Sequence, residues 1–234
     1  MKTLIIIPAY NEAKNIAGVI ADLRRFYPEG DYLVVNDCST DETAATVRQL
    51  GVKCLSLPVN LGIGGCVQAG YRYAQEQHYE YAVQFDGDGQ HKAQYIRDLL
   101  RPLEDGEADM AVGSRFLADG GFQSTAMRRL GIKFLSRLIH VLCGIRVSDV
   151  TSGMRAVNRK MIQFFSAHYA QDYPEPESTL AAARRGARIV EIPVQMRERQ
   201  YGESSIKPGH AAYYIAKVTL ALLMSNAEKE EGEI

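Results

Sequence analysis

Short strand-like runs alternate with longer segments of helical periodicity over the first two thirds of the chain. Thr3–Ile7 is a short, mostly aliphatic run ended by Pro8, which is typical of a buried parallel strand. Asn15–Phe26 has apolar residues three and four positions apart, which predicts a helix. Repetition of this pattern predicts an α/β fold with right-handed βαβ units and a mostly parallel sheet flanked by helices.

The remaining elements follow from the same two periodicities. Further strands are predicted over Tyr32–Asn36, Cys54–Leu57, Tyr81–Phe85, Met110–Gly113 and Arg188–Val194. Further helices are predicted over Glu42–Leu50, from a glycine-rich turn to Tyr73, and over Ala93–Leu103, Ala126–Ile145 and Ala211–Met224. With no internal repeat or linker, we expect one domain over residues 1–226, including an amphipathic helix at about 211–224, and an acidic tail over 227–234.

Polar clusters follow three of the predicted strands. They cover Pro8–Glu12, Asn36–Asp41 and Asp86–His91. Ligands of parallel α/β sheets bind outside the carboxyl ends of the strands, where such clusters meet. The sequence therefore predicts one binding site along this edge of the sheet.

Composition and charge narrow the class of protein. The content of 46% hydrophobic and 24% charged residues is ordinary for a globular protein, and a net charge of −1 argues against a nucleic-acid binder. The four cysteines form no CxxC pair and are expected to be reduced, as in a cytoplasmic protein. The first apolar run is too short for a signal peptide, and no stretch reaches the roughly 18–20 apolar residues of a membrane span.

Asp86-Gly87-Asp88 is the central candidate for chemistry. Two carboxylates at positions i and i+2 after a strand can point at one divalent ion, and hard oxygen ligands suit Mg²⁺ or Mn²⁺. Gln90 is a third candidate ligand, and His91 could add a ligand or an outer contact. The alternative is a solvated Asp-Gly turn, a common loop sequence.

Seven motifs occur in order over residues 3–206: PAYNE at Pro8–Glu12, VNDCSTDET at Val35–Thr43, NLGIGG at Asn60–Gly65, FDGDGQH at Phe85–His91, GSR at Gly113–Arg115, DVTSGMR at Asp149–Arg155, and EIPV with RQYGES from Glu191. As a set they resemble glycosyltransferase family 2, and within it the dolichyl- and polyprenyl-phosphate sugar transferase branch. The resemblance implies a Rossmann-like GT-A fold, an inverting mechanism, and a nucleotide-sugar donor held through a divalent metal.

The resemblance also implies roles for residues of the first clusters. Pro8, Tyr10 and Glu12 would line the nucleoside pocket, with Tyr10 offering a ring for stacking. Asp37 would hydrogen-bond the base, and Asp86 would contact the donor through the metal. The alternative for the acidic residues is helix capping.

Arginines and acidic residues of the later motifs are candidates for the phosphate and acceptor contacts. Arg115, Arg155 and Arg199 resemble phosphate clamps of the family, since a guanidinium binds phosphate oxygens bidentately; surface ion pairs are the alternative. We expect Asp149 to act on the acceptor, as a base or by orienting it, and place it with Asp88 and Arg155 in the catalytic centre. Glu175 and Glu177, in Tyr-Pro-Glu-Pro-Glu, are competing acceptor-side carboxylates with a less convincing placement in the sequence.

The glycines at 62, 64 and 65 do not form a dinucleotide fingerprint, because the required third position is Val67. By resemblance they form a tight turn near the donor.

Arg128–Leu142 combines basic and apolar residues in the pattern of an interfacial helix, with core packing as the alternative. Either the protein docks on a membrane surface or a small membrane-protein partner anchors it.

The sequence therefore predicts a metal-dependent inverting glycosyltransferase, peripheral at the cytoplasmic face of the membrane. The expected donor is a nucleotide sugar and the expected acceptor polyprenyl phosphate, in envelope polysaccharide or glycolipid synthesis. A transferase acting on a growing glycan or lipid-linked saccharide is the alternative. A sugar-1-phosphate nucleotidyltransferase would require a glycine-rich loop that PAYNEAKN lacks, and a non-catalytic scaffold would not require Asp86 and Asp88.

Overall fold

A computed structural model of the chain describes residues 2–117, 126–198, 201 and 211–230. Its strands form one mixed seven-stranded sheet in the order β3-β2-β1-β4-β6-β5-β7. The strands are β1 (Thr3–Ala9), β2 (Asp31–Asn36), β3 (Lys53–Ser56), β4 (Tyr81–Gln84), β5 (Met110–Ser114), β6 (Arg155–Asn158) and β7 (Ile189–Pro193). All pairs are parallel except those of β6 with β4 and β5, which confirms the predicted mostly parallel sheet.

Strand β1 is buried throughout, because it lies between β2 and β4 and is covered on both faces. The prediction that Pro8 ends this strand is wrong: pairing with β2 continues through Pro8 to Ala9. Pro8 turns its carbonyl toward the β4 side, where that oxygen accepts from Gly87 N. Its missing N–H faces the same side, beyond Gln84 where β4 has ended, so no ladder bond is lost.

Helices cover the two faces of the sheet. They are α1 (Ile16–Phe26), α2 (Thr43–Gln49), α3 (Gly62–Glu76), α4 (Ile96–Glu104), α5 (Ala126–Cys143), α6 (Arg159–Ala167), α7 (Pro174–Arg184) and α8 (Ala211–Glu230). Ile5 and Ile7 of β1 pack toward α1 and α4, whereas Leu4 and Ile6 pack toward α3 and α6. This period of two along a strand that is buried on both faces explains the continuous aliphatic run.

Three elements of the last third are not predicted from the pattern. Strand β6 is short and begins with the charged Arg155, and helix α7 begins in a Pro-Glu-Pro-Glu sequence that resembles a loop. Proline suits the first turn of a helix because the N–H that it lacks would have no partner there. Helix α6 begins at an Asn158 side chain that accepts from Met161 N, the usual N-cap bond.

The glycine-rich segment before α3 is helix rather than only a turn. Gly64 and Gly65 lie in the first turns of α3, and a Cβ on Gly64 would collide with the backbone of Ala170 and Gln171. The glycines therefore allow a loop to pack directly on the helix. Helix α3 follows β3, and the location of its glycines near the donor stays a prediction.

Helices α5, α7 and α8 form a third apolar cluster beside the sheet. One face of α5 is buried in this cluster through Ile132, Leu135 and Ile139. This face of the predicted interfacial helix therefore packs in the core. Its opposite positions, Leu130 and Phe134 among them, are exposed. Among the described residues, no helix combines the length and apolar character needed to cross a bilayer.

Candidate active site

The loop after β4, residues 85–92, carries the central carboxylate pair and is closely packed; it is called the carboxylate loop below. Gly87 N donates to Pro8 O at 3.2 Å, and a Cβ at Gly87 would lie 2.9 Å from that oxygen. Asp88 Oδ1 accepts from Gln90 N at 3.0 Å, and Gly89 adopts a φ of +77° that favours glycine. The two glycines let the loop turn sharply against the end of β1.

His91 supports Asp86 from the interior. The ring is buried, and its Nδ1 accepts from Asp86 N at 3.2 Å. Burial lowers the pKa of His91 to about 4, with the nearby positive charge of Arg115 acting in the same direction. The ring is therefore neutral near pH 7, and its proton is assigned to Nε2, which lies 3.6 Å from Asp86 Oδ2.

Gly153 approaches the same carboxylate from a distant part of the chain. A Cβ at this position would lie 2.6 Å from Asp86 Oδ2 and 2.9 Å from Oδ1. The glycine thus leaves space in which the carboxylate of Asp86 sits. This contact joins the predicted DVTSGMR and FDGDGQH motifs, which are more than sixty residues apart.

The donor set at this loop fits a divalent cation. Asp86 and Asp88 supply hard oxygens, and the Asp86 side chain is 31% exposed, so it is accessible from the edge of the sheet. Within the described ranges no three His, Cys, Asp or Glu side chains converge on one point. Mg²⁺-type ions commonly bind one or two carboxylates and complete their shell with water and substrate phosphates, so two are sufficient. The predicted ligand Gln90 uses its Nε2 to donate to Arg197 O at 3.4 Å.

The loops after β1 and β2 are tied together at the donor edge. Asn11 N donates to Ser39 Oγ, and Asn11 Oδ1 accepts from Thr40 N, both at 2.9 Å. Asn11 and Cys38 have φ values of 56° and 58°, which is uncommon outside glycine. Such strained positions persist where surrounding contacts fix them, often at ligand sites.

The four predicted nucleoside residues divide into exposed and internal positions. Tyr10 is 50% exposed at the end of β1, where its ring is open to stacking. Pro8 is buried in the strand, and Glu12 Oε2 accepts from Asn15 Nδ2 at 2.5 Å. Asp37 is buried, and its Oδ1 accepts from Leu61 N at 2.7 Å. Asp37 therefore fixes the backbone at the beginning of α3, in addition to its predicted contact with the base.

Arg115 and Asp149, predicted to serve donor and acceptor separately, form one buried ion pair. Arg115 Nε and Nη2 each donate at 2.6 Å to a different oxygen of Asp149, and Arg115 N donates at 3.1 Å. Their side chains are 8% and 0% exposed. Burial lowers the pKa of Arg115, but the hydrogen bonds and charge of Asp149 outweigh this and raise it. Asp149 is thus already engaged and inaccessible, which argues against its predicted use as a base.

Glu191 of β7 holds the backbone that carries Asp149. Its carboxylate accepts from Ser148 N and Ser148 Oγ at 2.8 Å, and from Asp149 N at 2.9 Å. The pair with Arg115 is therefore fixed from behind. The EIPV motif contains this glutamate, but nothing in its sequence pattern indicates the role.

Arg155, predicted as a phosphate clamp, is buried below the site. Its guanidinium donates to the carbonyls of Val150 and Ser152 at 2.9 and 2.7 Å, and to Ser178 Oγ at 2.8 Å. These bonds fix the loop between Asp149 and β6 and leave the side chain inaccessible to a ligand. The geometry favours a structural role over the predicted phosphate contact.

Glu175, one of the two competing carboxylates, lies at the start of α7 close to this arrangement. Gln84 Nε2 lies 3.5 Å from its Oε1, and Tyr169 OH donates to Gln84 Oε1 at 3.1 Å. Burial raises the pKa of Glu175, while the positive charge of Arg155 partly counteracts this. Burial also raises the pKa of Glu177, helped by the charge of Asp172.

Arg199 lies outside the described residues, but its neighbours along the chain are anchored. Arg197 N donates to Gln90 O at 2.8 Å, and Asn15 Nδ2 donates to Tyr201 O at 3.3 Å. The chain on either side of Arg199 is therefore fixed to the carboxylate loop and to the beginning of α1. The hydrophobic pattern of the sequence did not single out Arg197, because this residue lies in an irregular segment after the last strand.

The chain is similar to known proteins of one family. Residues 4–165 match the family described as Glycosyl transferase family 2. The chain is 31% identical to an undecaprenyl-phosphate mannosyltransferase of Micrococcus luteus over 228 residues, 94% of this chain and 93% of that protein. It is 30% identical to a polyprenol monophosphomannose synthase of Mycolicibacterium smegmatis, covering 100% of this chain and 91% of the relative.

The fold is also that of solved glycosyltransferases. A glucosyl-3-phosphoglycerate synthase of Mycobacterium tuberculosis superposes with a TM-score of 0.76 at 19% identity, covering 96% of this chain and 79% of that one. This likeness confirms the predicted GT-A fold. Together with the family match over most of the chain, the similarity to lipid-phosphate mannosyltransferases confirms the predicted branch. The chain belongs to glycosyl transferase family 2 and is a hexosyltransferase of its polyprenyl-phosphate sugar transferase branch.

Proposed function

We propose that the protein transfers a hexosyl group from a nucleotide diphosphate donor to a polyprenyl phosphate, with a divalent cation held by Asp86 and Asp88. The observation that carries the proposal is the junction of the carboxylate loop with Gly153 and with the end of β1 at one edge of the sheet. The relatives named for undecaprenyl-phosphate and polyprenol support the acceptor. A second solved form of the mycobacterial synthase contains Mn²⁺ and uridine diphosphate, which supports the donor and the metal.

The chemistry needs one displacement at the anomeric carbon. An oxygen of the acceptor phosphate attacks C1 of the sugar as the bond from C1 to the nucleoside diphosphate breaks, with inversion and with the electron pair leaving on the diphosphate. A divalent cation supplies neutralisation of the charge on that leaving group. Asp86 and Asp88 would hold it, while exposed Tyr10 would stack on the nucleoside base.

The engaged state of Asp149 supports a phosphate acceptor. A sugar hydroxyl requires a base to remove its proton, whereas a phosphate oxygen is already ionised near neutral pH. Asp149 is fully paired with Arg115 and buried, so it is poorly placed to accept a proton. We assign Asp149 to positioning Arg115 rather than to proton transfer, and retain Arg199 as a candidate phosphate contact from its sequence motif.

The metal and donor assignments are tested by Asp88→Asn, with the exposed Asp105→Asn as a matched control. Loss of one well-placed electrostatic contact lowers turnover by roughly 10²–10³-fold. We expect that loss in Asp88→Asn, normal turnover in Asp105→Asn, and no turnover of the parent protein in excess EDTA. Full activity of Asp88→Asn, or turnover that ignores EDTA, would exclude the metal site.

A sugar-hydroxyl acceptor is the second candidate, favoured by one observation. Glu175 is a partly buried carboxyl near Asp86 whose pKa is raised by burial, and a raised carboxyl pKa in a cleft is a feature of candidate general bases. Transfer to a hydroxyl should then show an acidic limb that disappears in Glu175→Gln. If Glu175→Gln transfers sugar to polyprenyl phosphate with the same pH dependence as the parent protein, the result supports polyprenyl phosphate as the acceptor.

We also propose peripheral attachment at the cytoplasmic face of a membrane. Helix α5 exposes Leu130 and Phe134 beside the exposed cations Lys133 and Arg137. Helix α8, which packs on α5, exposes a row of apolar side chains: Tyr213, Leu220, Leu223 and Met224. Apolar residues flanked by cations suit the surface of an anionic bilayer.

Vesicle co-sedimentation tests this attachment. Binding should increase with the fraction of anionic lipid and decrease with salt, because salt screens the basic contribution. Arg137→Glu should weaken binding, whereas Arg48→Glu, the same change on an exposed residue of α2, should not. If vesicles of every composition fail to bind the protein, a small membrane-protein partner becomes the better assignment for the exposed faces.

A further inference from the structure

Arg197 joins three separate parts of the active site although it belongs to none of the predicted motifs. Its Nη2 donates to Asp22 Oδ1 at 3.1 Å, and its Nη1 donates to Asp22 Oδ2 at 3.2 Å. Nη1 also lies 3.4 Å from the carbonyl oxygen of His91. One guanidinium therefore connects the segment after β7 with helix α1 and with the carboxylate loop.

The backbone makes the same connection. Arg197 N donates to Gln90 O at 2.8 Å, and Gln90 Nε2 donates back to Arg197 O at 3.4 Å. Asp22 Oδ2 accepts a further bond from Ala93 N at 3.0 Å. We refer to the Arg197–Asp22 pair with these bonds as the clasp. It holds the end of the carboxylate loop between a helix and the segment after β7.

The carboxylate loop depends on such external support. Two of its residues are glycines, Gly87 and Gly89, which give the backbone little stiffness of their own. Helix α1 offers a rigid wall, and its Asp22 side chain is only 14% exposed, so its charge is screened less than that of a surface residue. A bidentate Arg–carboxylate pair adds directional constraint to this wall.

We propose that the clasp is a positioning device for the metal and donor site, with Arg197 and Asp22 as positioning residues. It keeps the loop in the conformation in which Asp86 and Asp88 converge. Functional carboxylates must be held to within about 0.5 Å by the residues around them. The inference rests on the proposed metal site and adds two residues that touch neither metal nor substrate.

The test uses Mn²⁺ alone as the probe, with Asp22→Asn, Arg197→Met and the double variant. Loss of partners behind metal ligands typically weakens metal binding by 10–100-fold, and we expect about tenfold here. The double variant should bind Mn²⁺ about as weakly as Arg197→Met alone, because that variant has already lost the pair with Asp22 and the asparagine oxygen can still accept from Ala93 N. Asp98→Asn, which breaks the exposed Arg101–Asp98 pair at 3.0 Å, is the matched control and should bind normally.

Hydrogen exchange of the metal-free variants gives a readout independent of activity. We expect faster amide exchange confined to residues 86–93 in Asp22→Asn and in Arg197→Met. In donor titrations, KM should rise more than kcat falls, since saturating metal and donor restore the loop.

Three outcomes overturn the proposal. If Asp88→Asn abolishes Mn²⁺ binding while both clasp variants bind Mn²⁺ normally, the clasp has no positioning role and the metal site stands. If exchange rises uniformly along the chain, the pair is merely structural. If Asp88→Asn binds Mn²⁺ like the parent protein, the proposed metal site fails and the inference fails with it.

Discussion

Replacing Asp149 by Asn should test whether the pair with Arg115 is an internal support of the fold. The change keeps the size of the side chain but removes its charge. One of the two oxygens that accept from Arg115 at 2.6 Å becomes an NH₂ group facing another donor. The guanidinium, whose side chain is 8% exposed, then lies buried without its counter-charge.

The expected cost follows from that burial. Removing one partner of a buried ion pair costs about 3–5 kcal/mol, a large part of the roughly 5–15 kcal/mol by which typical domains are stable. An exposed pair contributes about 0–1 kcal/mol. Arg97–Glu29, also at 2.6 Å but with side chains 62% and 44% exposed, is the matched control, and Glu29→Gln should cost little.

Urea unfolding followed by circular dichroism measures both changes in the free energy of unfolding. Arg115→Met combined with Asp149→Leu removes both charges, so most of the stability should return, since apolar replacement of a buried pair is often nearly neutral. That double variant should fold yet transfer no sugar if the pair is also needed for function. If Asp149→Asn lowers the free energy of unfolding by less than about 1 kcal/mol, the reasoning is refuted, because an exposed ion pair contributes no more than that.

Three further predictions concern single positions. Gly153→Ala should weaken Mn²⁺ binding, because the added Cβ would lie 2.6 Å from Asp86 Oδ2. The control Gly18→Ala should bind Mn²⁺ normally, because a Cβ at Gly18 has nothing within 4 Å. Equal Mn²⁺ affinities of the two variants would contradict the contact of Gly153 with Asp86. Burial lowers the pKa of His91 in the folded state to about 4, so its contribution to stability is present above pH 6.5 and is lost as the pH falls toward 4. The free energy of unfolding should fall by about 3 kcal/mol across that window. If the difference in unfolding free energy between the parent protein and His91→Gln does not change with pH there, the prediction is wrong. Burial raises the pKa of Cys66 to about 12, so alkylation of the native protein at pH 8 should modify the partly exposed Cys38 and Cys54 and spare Cys66, as mass spectrometry of the peptides would show.

Local patterns were sufficient for most of the sheet and for the edge that carries the site. Six of the strands have runs or alternations that short-range periodicity detects, as in β1 with its continuous aliphatic sequence. Strand β6 escaped because it begins with Arg155, a residue that buries its charge only by bonding to Val150, Ser152 and Ser178. A pattern of apolar positions cannot register such compensation.

Residue types and chain direction also located the loop that carries Asp86 and Asp88. Asp86 and Asp88 follow a strand, and parallel strands bring their carboxyl ends to one edge whatever the details of packing. The motifs placed Arg115, Asp149 and Arg155 in the same region. The sequence did not show which residues pair with these side chains, and Asp149 was expected to act on the acceptor.

By itself, then, the sequence determined the succession of elements over the first two thirds of the chain, the family and the edge of the sheet where polar clusters meet, because each depends on short-range order and strand direction. The tertiary structure alone decided that Asp149 pairs with Arg115, that Gly153 lies against Asp86 and that Arg197 reaches Asp22. These contacts join residues 34, 67 and 175 positions apart. Such pairings depend on how helices and loops pack in three dimensions, and several arginines and aspartates of one sequence can satisfy the same local pattern.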